Sequence, residues 1–328
     1  GITLSSRYSI IRHLGGGGFA QTYLAEDSQL PGNHLCVVNQ LKPQVTDPET
    51  LQVARRLFDT EAQVLYKLGN HDRIPRLFAY FEENQEFYLV QEFIEGHDLN
   101  QEIIPASAAA TTAGMKEDEV IIILQEILEI LDFVHQQNVI HRDVNPRNIL
   151  RRNRDGKLVL IDFGAVKEIT TQITNPQYKN SLSVSIGTPG YMPSEQAHGN
   201  PKLSSDIYAT GTIAIQYLTG INPHQLPKDP DTEEIIWQDK TSVSSEFAKI
   251  LDKMVRYDFR QRYASAGEAL QAIKELKSPL AGTVPVLLPI VSPNQPAKSR
   301  NKLYLKISAI AGLSGISILA SIYAVNTL

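Results

Sequence analysis

With 328 residues, 42% of them hydrophobic and 20% charged, the chain can bury one large core or two lobes. A net charge of −5 excludes a broad basic face and with it a nucleic-acid binder. Cys36 is the only cysteine, which excludes an intramolecular disulfide and a cysteine-ligated metal site.

From Tyr8 to Leu99 the pattern predicts mostly strands. "YSIIRHL" and "QTYLAED" flank the glycine run Gly15–Gly18 like two arms of a hairpin, and "HLCVVNQL" supplies a third strand. "ETLQVARRLFDTEAQVLYKL" sets Leu51, Leu57, Phe58, Leu65 and Leu68 near helical spacing and predicts an amphipathic helix. "IPRLFAYFEE" and "QEFYLVQEFI" read as two further strands. Residues 105–114, "PASAAATTAG", are a low-complexity loop. From Glu117 onward helices dominate. "EDEVIIILQEILEILDFVHQQ" is apolar almost all round and is expected to be a buried helix. Strands first and helices second is an α+β arrangement.

The C-terminal part changes character. Residues 278–301 hold Pro279, Pro285, Pro289, Pro293 and Pro296 and read as a semi-extended linker. Ile307–Val325 carries no charge over 19 residues. At about 1.5 Å per residue that is enough to cross the hydrocarbon core of a bilayer. Lys298, Arg300, Lys302 and Lys306 precede the run, so the positive-inside tendency puts everything N-terminal of it in the cytoplasm. The expectation is a single-pass transmembrane helix over 303–325 in the inner or plasma membrane. Gly312 and Gly315 would suit pairing of two such helices, and hence a homodimer.

Several short stretches carry chemistry. In "LGGGGFAQTY", Gly15 and Gly17 let backbone approach a phosphate closely because no Cβ intervenes. "IHRDVNPRNIL" and "LVLIDFGAVK" are more specific, with Asp162 nineteen residues after Asp143. "GTPGYMPSEQ", "SDIYATG" and "DFRQRYASAGEAL" follow in order.

In this order and spacing the stretches resemble the motifs of the eukaryotic-like Ser/Thr protein kinases of bacteria, over residues 7–277. The closest likeness is to those tethered by one C-terminal transmembrane helix. The resemblance implies a two-lobed fold, a β-rich N-lobe over about 7–95 and an α-rich C-lobe over about 96–277. It implies ATP in the cleft between them, Mg²⁺ or alternatively Mn²⁺ as the metal, and a protein Ser/Thr hydroxyl as acceptor. Asp143 then matches the residue that takes or orients the proton of the substrate hydroxyl. Asn148 and Asp162 match the two metal ligands, hard oxygen donors suited to Mg²⁺. Glu61 matches the helix partner of the strand-three lysine. Leu14, Gly15, Gly16, Gly17, Gly18, Phe19, Thr22, Val37 and Asn39 would line the nucleotide site, with Glu92 and Ile94 in the hinge Gln91–Ile94. His141 and Arg142 brace the catalytic loop. The activation loop would run from Gly164 to about Pro193, and Thr188 would belong to a Ser/Thr-type substrate loop. Glu195 and Arg262 match a buried ion pair, and Asp206 a residue that holds the catalytic loop.

The pattern departs from the family at several positions. Ala20 replaces the third loop glycine, Thr22 the valine above adenine, and "PSE" the family's "APE". Two other departures touch the chemistry directly. Asn39 stands where the strand-three lysine would be and Asn145 where the catalytic-loop lysine would be, and both lysines contact ATP phosphates in the family. Arg147, four residues after Asp143, is placed to take over from Asn145. Asn39 has no such substitute: residues 14–25 contain no Lys or Arg, and Lys42 should face away from the cleft. A charge-assisted hydrogen bond is worth about 1.5–3 kcal/mol, so losing one costs roughly 10- to 150-fold in rate. Two readings follow, a slow membrane-tethered Ser/Thr kinase and a pseudokinase acting as a nucleotide-binding or scaffolding signalling module. A small-molecule phosphotransferase is disfavoured by the long activation loop and "GTPGY".

Overall fold

Alternating apolar residues and glycine-bounded segments build the first half as a sheet, as a computed structural model of the chain shows. The structure describes residues 2–16, 20–32, 34–42, 48–103, 114–163 and 187–277. All of these lie in one unit, Gly1–Ala281. The expected linker and membrane helix, the insertion at 105–113 and the activation-loop residues 164–186 lie outside the described residues. Among the described residues no helix is long and apolar enough to cross a membrane.

The strands are β1 (Thr3–Leu4), β2 (Tyr8–Gly16), β3 (Ala20–Asp27), β4 (His34–Leu41), β5 (Leu77–Glu83) and β6 (Glu86–Glu92). They form one antiparallel sheet in the order β1-β2-β3-β4-β6-β5. The expected strands are all present, and the sheet gains β1, a two-residue strand with no alternation long enough to read. Side-chain alternation gives the sheet two apolar faces. Tyr8, Ala25, Cys36, Val38, Tyr88 and Val90 pack together on one. On the other, Leu41, Phe87 and Leu89 meet Phe58, Ala62 and Leu65 of helix α1 (Pro48–Leu68), the expected amphipathic helix.

The second half is helical, with α2 (Glu117–Gln136), α3 (Ser194–Ala197), α4 (Leu203–Thr219), α5 (Ser245–Met254) and α6 (Ala266–Lys277). A small sheet joins β7 (Gly96–Asp98), which precedes α2 in sequence, to β8 (Ile149–Arg152) and β9 (Leu158–Leu160), which follow it, and carries the loops of the site. One expectation needs correction. Helix α2 is not buried all round: Ile122 is 49% exposed, and Gln125, Glu126, Glu129 and Asp132 are only half-buried. The helix buried on every side is α4, where every residue from Ser204 to Thr219 is covered. Ser204, Ser205, Asp206 and three threonines interrupt its apolar run, and the threonines satisfy themselves within the helix. Thr210, Thr212 and Thr219 each donate to the carbonyl four residues back, at 2.7–2.9 Å. Gly211 permits the close approach of α5, since a Cβ there would stand 2.8 Å from Met254 Cβ.

Candidate active site

The end of the first sheet nearest β7 and β8 closes over a cavity of about 240 Å³. Leu14, Thr22, Val37, Asn39, Gln91, Glu92, Ile94, Asn148 and Asp162, all singled out in the sequence, line it. Phe93 joins them from the hinge. Pro75, Leu150 and Ile161 also line it and were missed. The signal for two of these was local: Leu150 follows Asn148 by two on a strand, and Ile161 immediately precedes Asp162. Gly15 and Gly16 end β2 above the cleft, while Gly17, Gly18 and Phe19 lie outside the described residues. Gly16 has φ 133, and a Cβ there would meet Ala20 O at 2.3 Å, so only glycine fits that corner. A larger groove of about 400 Å³ lies at Ile235, Trp237 and Val255 and holds none of the sequence-indicated residues.

Ile94 is 7% exposed, and its backbone N–H has no hydrogen-bond partner among the described residues. An unpaired donor on a buried residue that lines the cavity suits the acceptor edge of a planar base. Leu14, Val37, Leu150 and Ile161 supply apolar surface on either side.

The catalytic-loop residues gather below the cavity. Asp143 is buried, with both carboxylate oxygens engaged. Thr188 Oγ1 donates to Oδ1 at 2.7 Å, and Asn148 Nδ2 donates to Oδ2 at 2.8 Å. Asn148 Nδ2 also donates to Asp143 O at 2.9 Å. Both partners of that amide nitrogen are acceptors, which fixes the amide and turns its Oδ1 the other way. Asn148 Oδ1 and the Asp162 carboxylate are therefore two hard oxygen donors on one cavity, a fit for Mg²⁺ with water and phosphate completing its shell.

Asn145 is used differently from the lysine it replaces. Its Nδ2 donates to Asp143 O at 2.9 Å and to Thr188 Oγ1 at 3.0 Å. Its Oδ1 accepts from Arg147 N at 3.0 Å and so caps the 3-10 turn Pro146–Asn148. Its amide is fully committed to shaping the loop, with no N–H left for a phosphate. Arg147 stands exposed on that turn, and its guanidinium has no hydrogen-bond partner among the described residues. Burial pushes the Tyr191 hydroxyl up to about 12, against the Gln216 hydrogen bond and the Arg147 charge, which both lower it.

A buried frame holds the loop. Asp206 on α4 accepts from the backbone N–H of His141 at 2.8 Å and of Arg142 at 2.9 Å, and from His135 Nε2 at 3.0 Å. Burial alone would raise its carboxyl, but these partners hold it below its ordinary value. Burial lowers His141 and keeps it neutral. His141 Nε2 pairs with Ile161 O at 3.0 Å, Nδ1 receives Asp143 N–H at 3.3 Å, and its ring packs 4.5 Å from Phe163. That pairing spans the two loops bearing Asp143 and Asp162. Arg142 and Asp162 have positive φ, 68 and 56, backbone that the surrounding contacts must hold. Glu195 and Arg262 form the expected buried pair at 2.6 Å.

On the cleft face of the main sheet, Asn39 lies opposite Thr22. Its Oδ1 accepts from Thr22 Oγ1 at 2.9 Å, and its Nδ2 donates to Gln91 Oε1 at 2.9 Å. Glu61 is 3% exposed on α1 and is not a hydrogen-bond partner of Asn39. Lys42 pairs with Glu86 at 3.5 Å, away from the cavity lining, as expected.

Residues 8–274 match the family described as Protein kinase domain. The chain belongs to the protein kinase family. Its kinase domain is 44% identical over 273 residues to serine/threonine-protein kinase PknA of Nostoc sp., covering 83% of this chain and 47% of that protein. It is 45% identical over 273 residues to serine/threonine-protein kinase C of Synechocystis sp., covering 83% of this chain and 50% of that protein. The chain thus spans about half the length of the curated relatives it matches. Among solved structures, the Mycobacterium tuberculosis PknI kinase domain superposes with a TM-score of 0.60 at 24% identity, covering 84% of this chain and 98% of that one. The apo form of PpkA-294 does so with a TM-score of 0.60 at 20% identity, covering 81% and 96%. These likenesses establish the two-lobed kinase fold.

Proposed function

We propose that the chain is a serine/threonine protein kinase that transfers the γ-phosphoryl group of ATP to Ser or Thr hydroxyls of proteins. The observation that carries this is the Asp143–Thr188–Asn145 triangle, in which Thr188 Oγ1 donates to the Asp143 carboxylate and accepts from Asn145. It ties the "GTPGY" substrate loop to the catalytic carboxylate. The relatives named serine/threonine-protein kinases support the same reading. Asp143 receives the proton of the incoming hydroxyl, with Thr188 fixing one of its oxygens and Asn148 the other. Asn148 Oδ1 and Asp162 would hold Mg²⁺, or Mn²⁺ in its place, which would neutralise charge on the phosphate oxygens. Ile94 N–H and the apolar walls seat the base. With Asn39 and Asn145 in place of lysines, phosphoryl transfer is slow.

The test is autophosphorylation with labelled ATP and Mg²⁺ or Mn²⁺, alongside Asp143→Asn and Asp162→Ala. Expected are a signal in the wild type and none in either variant, with the Mg²⁺-dependent thermal shift by ATP lost only in Asp162→Ala. A wild type that binds nucleotide yet shows no transfer favours the pseudokinase reading. That reading draws on one observation, the commitment of the Asn39 amide to Thr22 and Gln91.

We also propose that the domain is tethered to the inner or plasma membrane by a helix over 303–325, with the kinase domain in the cytoplasm. The uncharged run after a basic flank supports this. Truncation at about Asn301 should move the protein to the soluble fraction, whereas release of the full chain by high salt alone would overturn the tether.

A further inference from the structure

Thr22, Asn39 and Gln91 sit on three neighbouring strands, β3, β4 and β6, and all line the cleft. Thr22 pairs in register with Asn39, while Gln91 pairs with Val37, two residues nearer the hinge. Asn39 therefore leans along the sheet toward the hinge end of the cavity. In the structure the relay runs one way: Thr22 Oγ1 donates to Asn39 Oδ1 and Asn39 Nδ2 donates to Gln91 Oε1. The second Nδ2–H of Asn39 and the Nε2 amide protons of Gln91 have no other partner among the described residues. Asn39 lies on the cavity wall, so the relay ends in an Asn39 donor available to an acceptor-rich ligand.

We propose that Thr22 and Gln91 are positioning residues that make Asn39 a fixed neutral hydrogen-bond donor to the bound nucleotide. The cleft then holds its nucleotide through a polarised amide relay where a cationic side chain would otherwise serve. This rests on the kinase reading of the cleft. Asn39 by itself has a rotatable amide of ambiguous orientation. Held at both ends, it offers its free N–H in one direction at little ordering cost.

The experiment measures ADP affinity with Mg²⁺ by titration calorimetry on the full chain. The set is wild type, Thr22→Val, Gln91→Leu, Gln91→Glu, Asn39→Ala and the double variant Asn39→Ala with Gln91→Leu. Gln91→Leu and Asn39→Ala should each weaken binding about three- to tenfold, the range for one neutral hydrogen bond. Thr22→Val should weaken it by a similar factor. The double variant should bind no worse than Asn39→Ala, because Gln91 acts only through Asn39. Gln91→Glu keeps an accepting oxygen for Asn39 and should bind ADP more tightly than Gln91→Leu. In the transfer assay Gln91→Leu should raise KM for ATP and leave kcat at saturation unchanged, which a general loss of stability would not do. Melting of each variant without nucleotide confirms that it is folded, and Gln91→Met replaces Gln91→Leu if the latter is not. Independent, additive losses, or equal losses for Gln91→Glu and Gln91→Leu, overturn the inference. A wild type that binds no ADP overturns it together with the kinase reading. A wild type that binds ADP and transfers phosphate with no coupling between Asn39 and Gln91 overturns the inference alone.

Discussion

Replacing Asn39 with lysine should raise phosphoryl transfer while lowering thermal stability. Sequence alone suggests a gain of roughly 10- to 150-fold, the full worth of one charge-assisted hydrogen bond. The structure reduces it, because Asn39 already carries a free, positioned N–H. Exchanging a neutral donor worth about 0.5–1.5 kcal/mol for a charged one worth about 1.5–3 kcal/mol leaves a net of about 1–1.5 kcal/mol. At 1.4 kcal/mol per tenfold, that is about 5- to 12-fold in kcat/KM. The same change strips Thr22 and Gln91 of the amide between them. Both are half-buried, so the loss costs on the order of 1 kcal/mol and lowers Tm by about 2–4 °C. The assay compares kcat/KM for ATP and the melting temperature of wild type and Asn39→Lys, with Asp143→Asn as the blank. An unchanged rate in an active wild type would show that another cation already serves the phosphates. A gain above 100-fold would show that Asn39 supplies no donor. A rise in Tm would contradict the geometry of the relay.

Thr188→Val removes both the bond to Asp143 Oδ1 and the acceptor of Asn145, and should lower kcat by about 10- to 100-fold through misplacement of the carboxylate. KM for ATP should hold steady, because Thr188 does not line the nucleotide cavity. Arg262→Ala leaves the Glu195 carboxylate buried without its 2.6 Å partner and should destabilise the domain by about 3–5 kcal/mol, read as a lower urea midpoint. Burial pushes the Cys36 thiol from about 9 up to about 11. The unfolded chain releases that proton first, so this group makes stability fall as pH rises between those values. Iodoacetamide at pH 8.5 should leave Cys36 untouched in the native protein and label it in urea; native labelling at the unfolded rate would refute its burial.

The family and the order of its chemistry were legible in the chain because they depend on local patterns. Asp143, Asn148 and Asp162 sit in short stretches whose residue types and spacing carry their meaning, and strand alternation and the α1 periodicity report burial directly. Several features were decided only when distant residues met. Helix α4 proved to be the helix buried on all sides, and its threonine hydroxyls bond their own backbone carbonyls. That lets these hydroxyls sit in a core. Asn145 looked like a lost cation. Folding made it a cap and a bridge to Thr188, 43 residues away. Asn39 looked like a missing charge. Its two partners are 17 and 52 residues distant, on neighbouring strands whose pairing register no local pattern specifies. A side-chain amide can donate and accept in either orientation, so its identity in the sequence leaves its role open. Only the groups that the sheet brings against it fix which way it points and what it can offer a ligand.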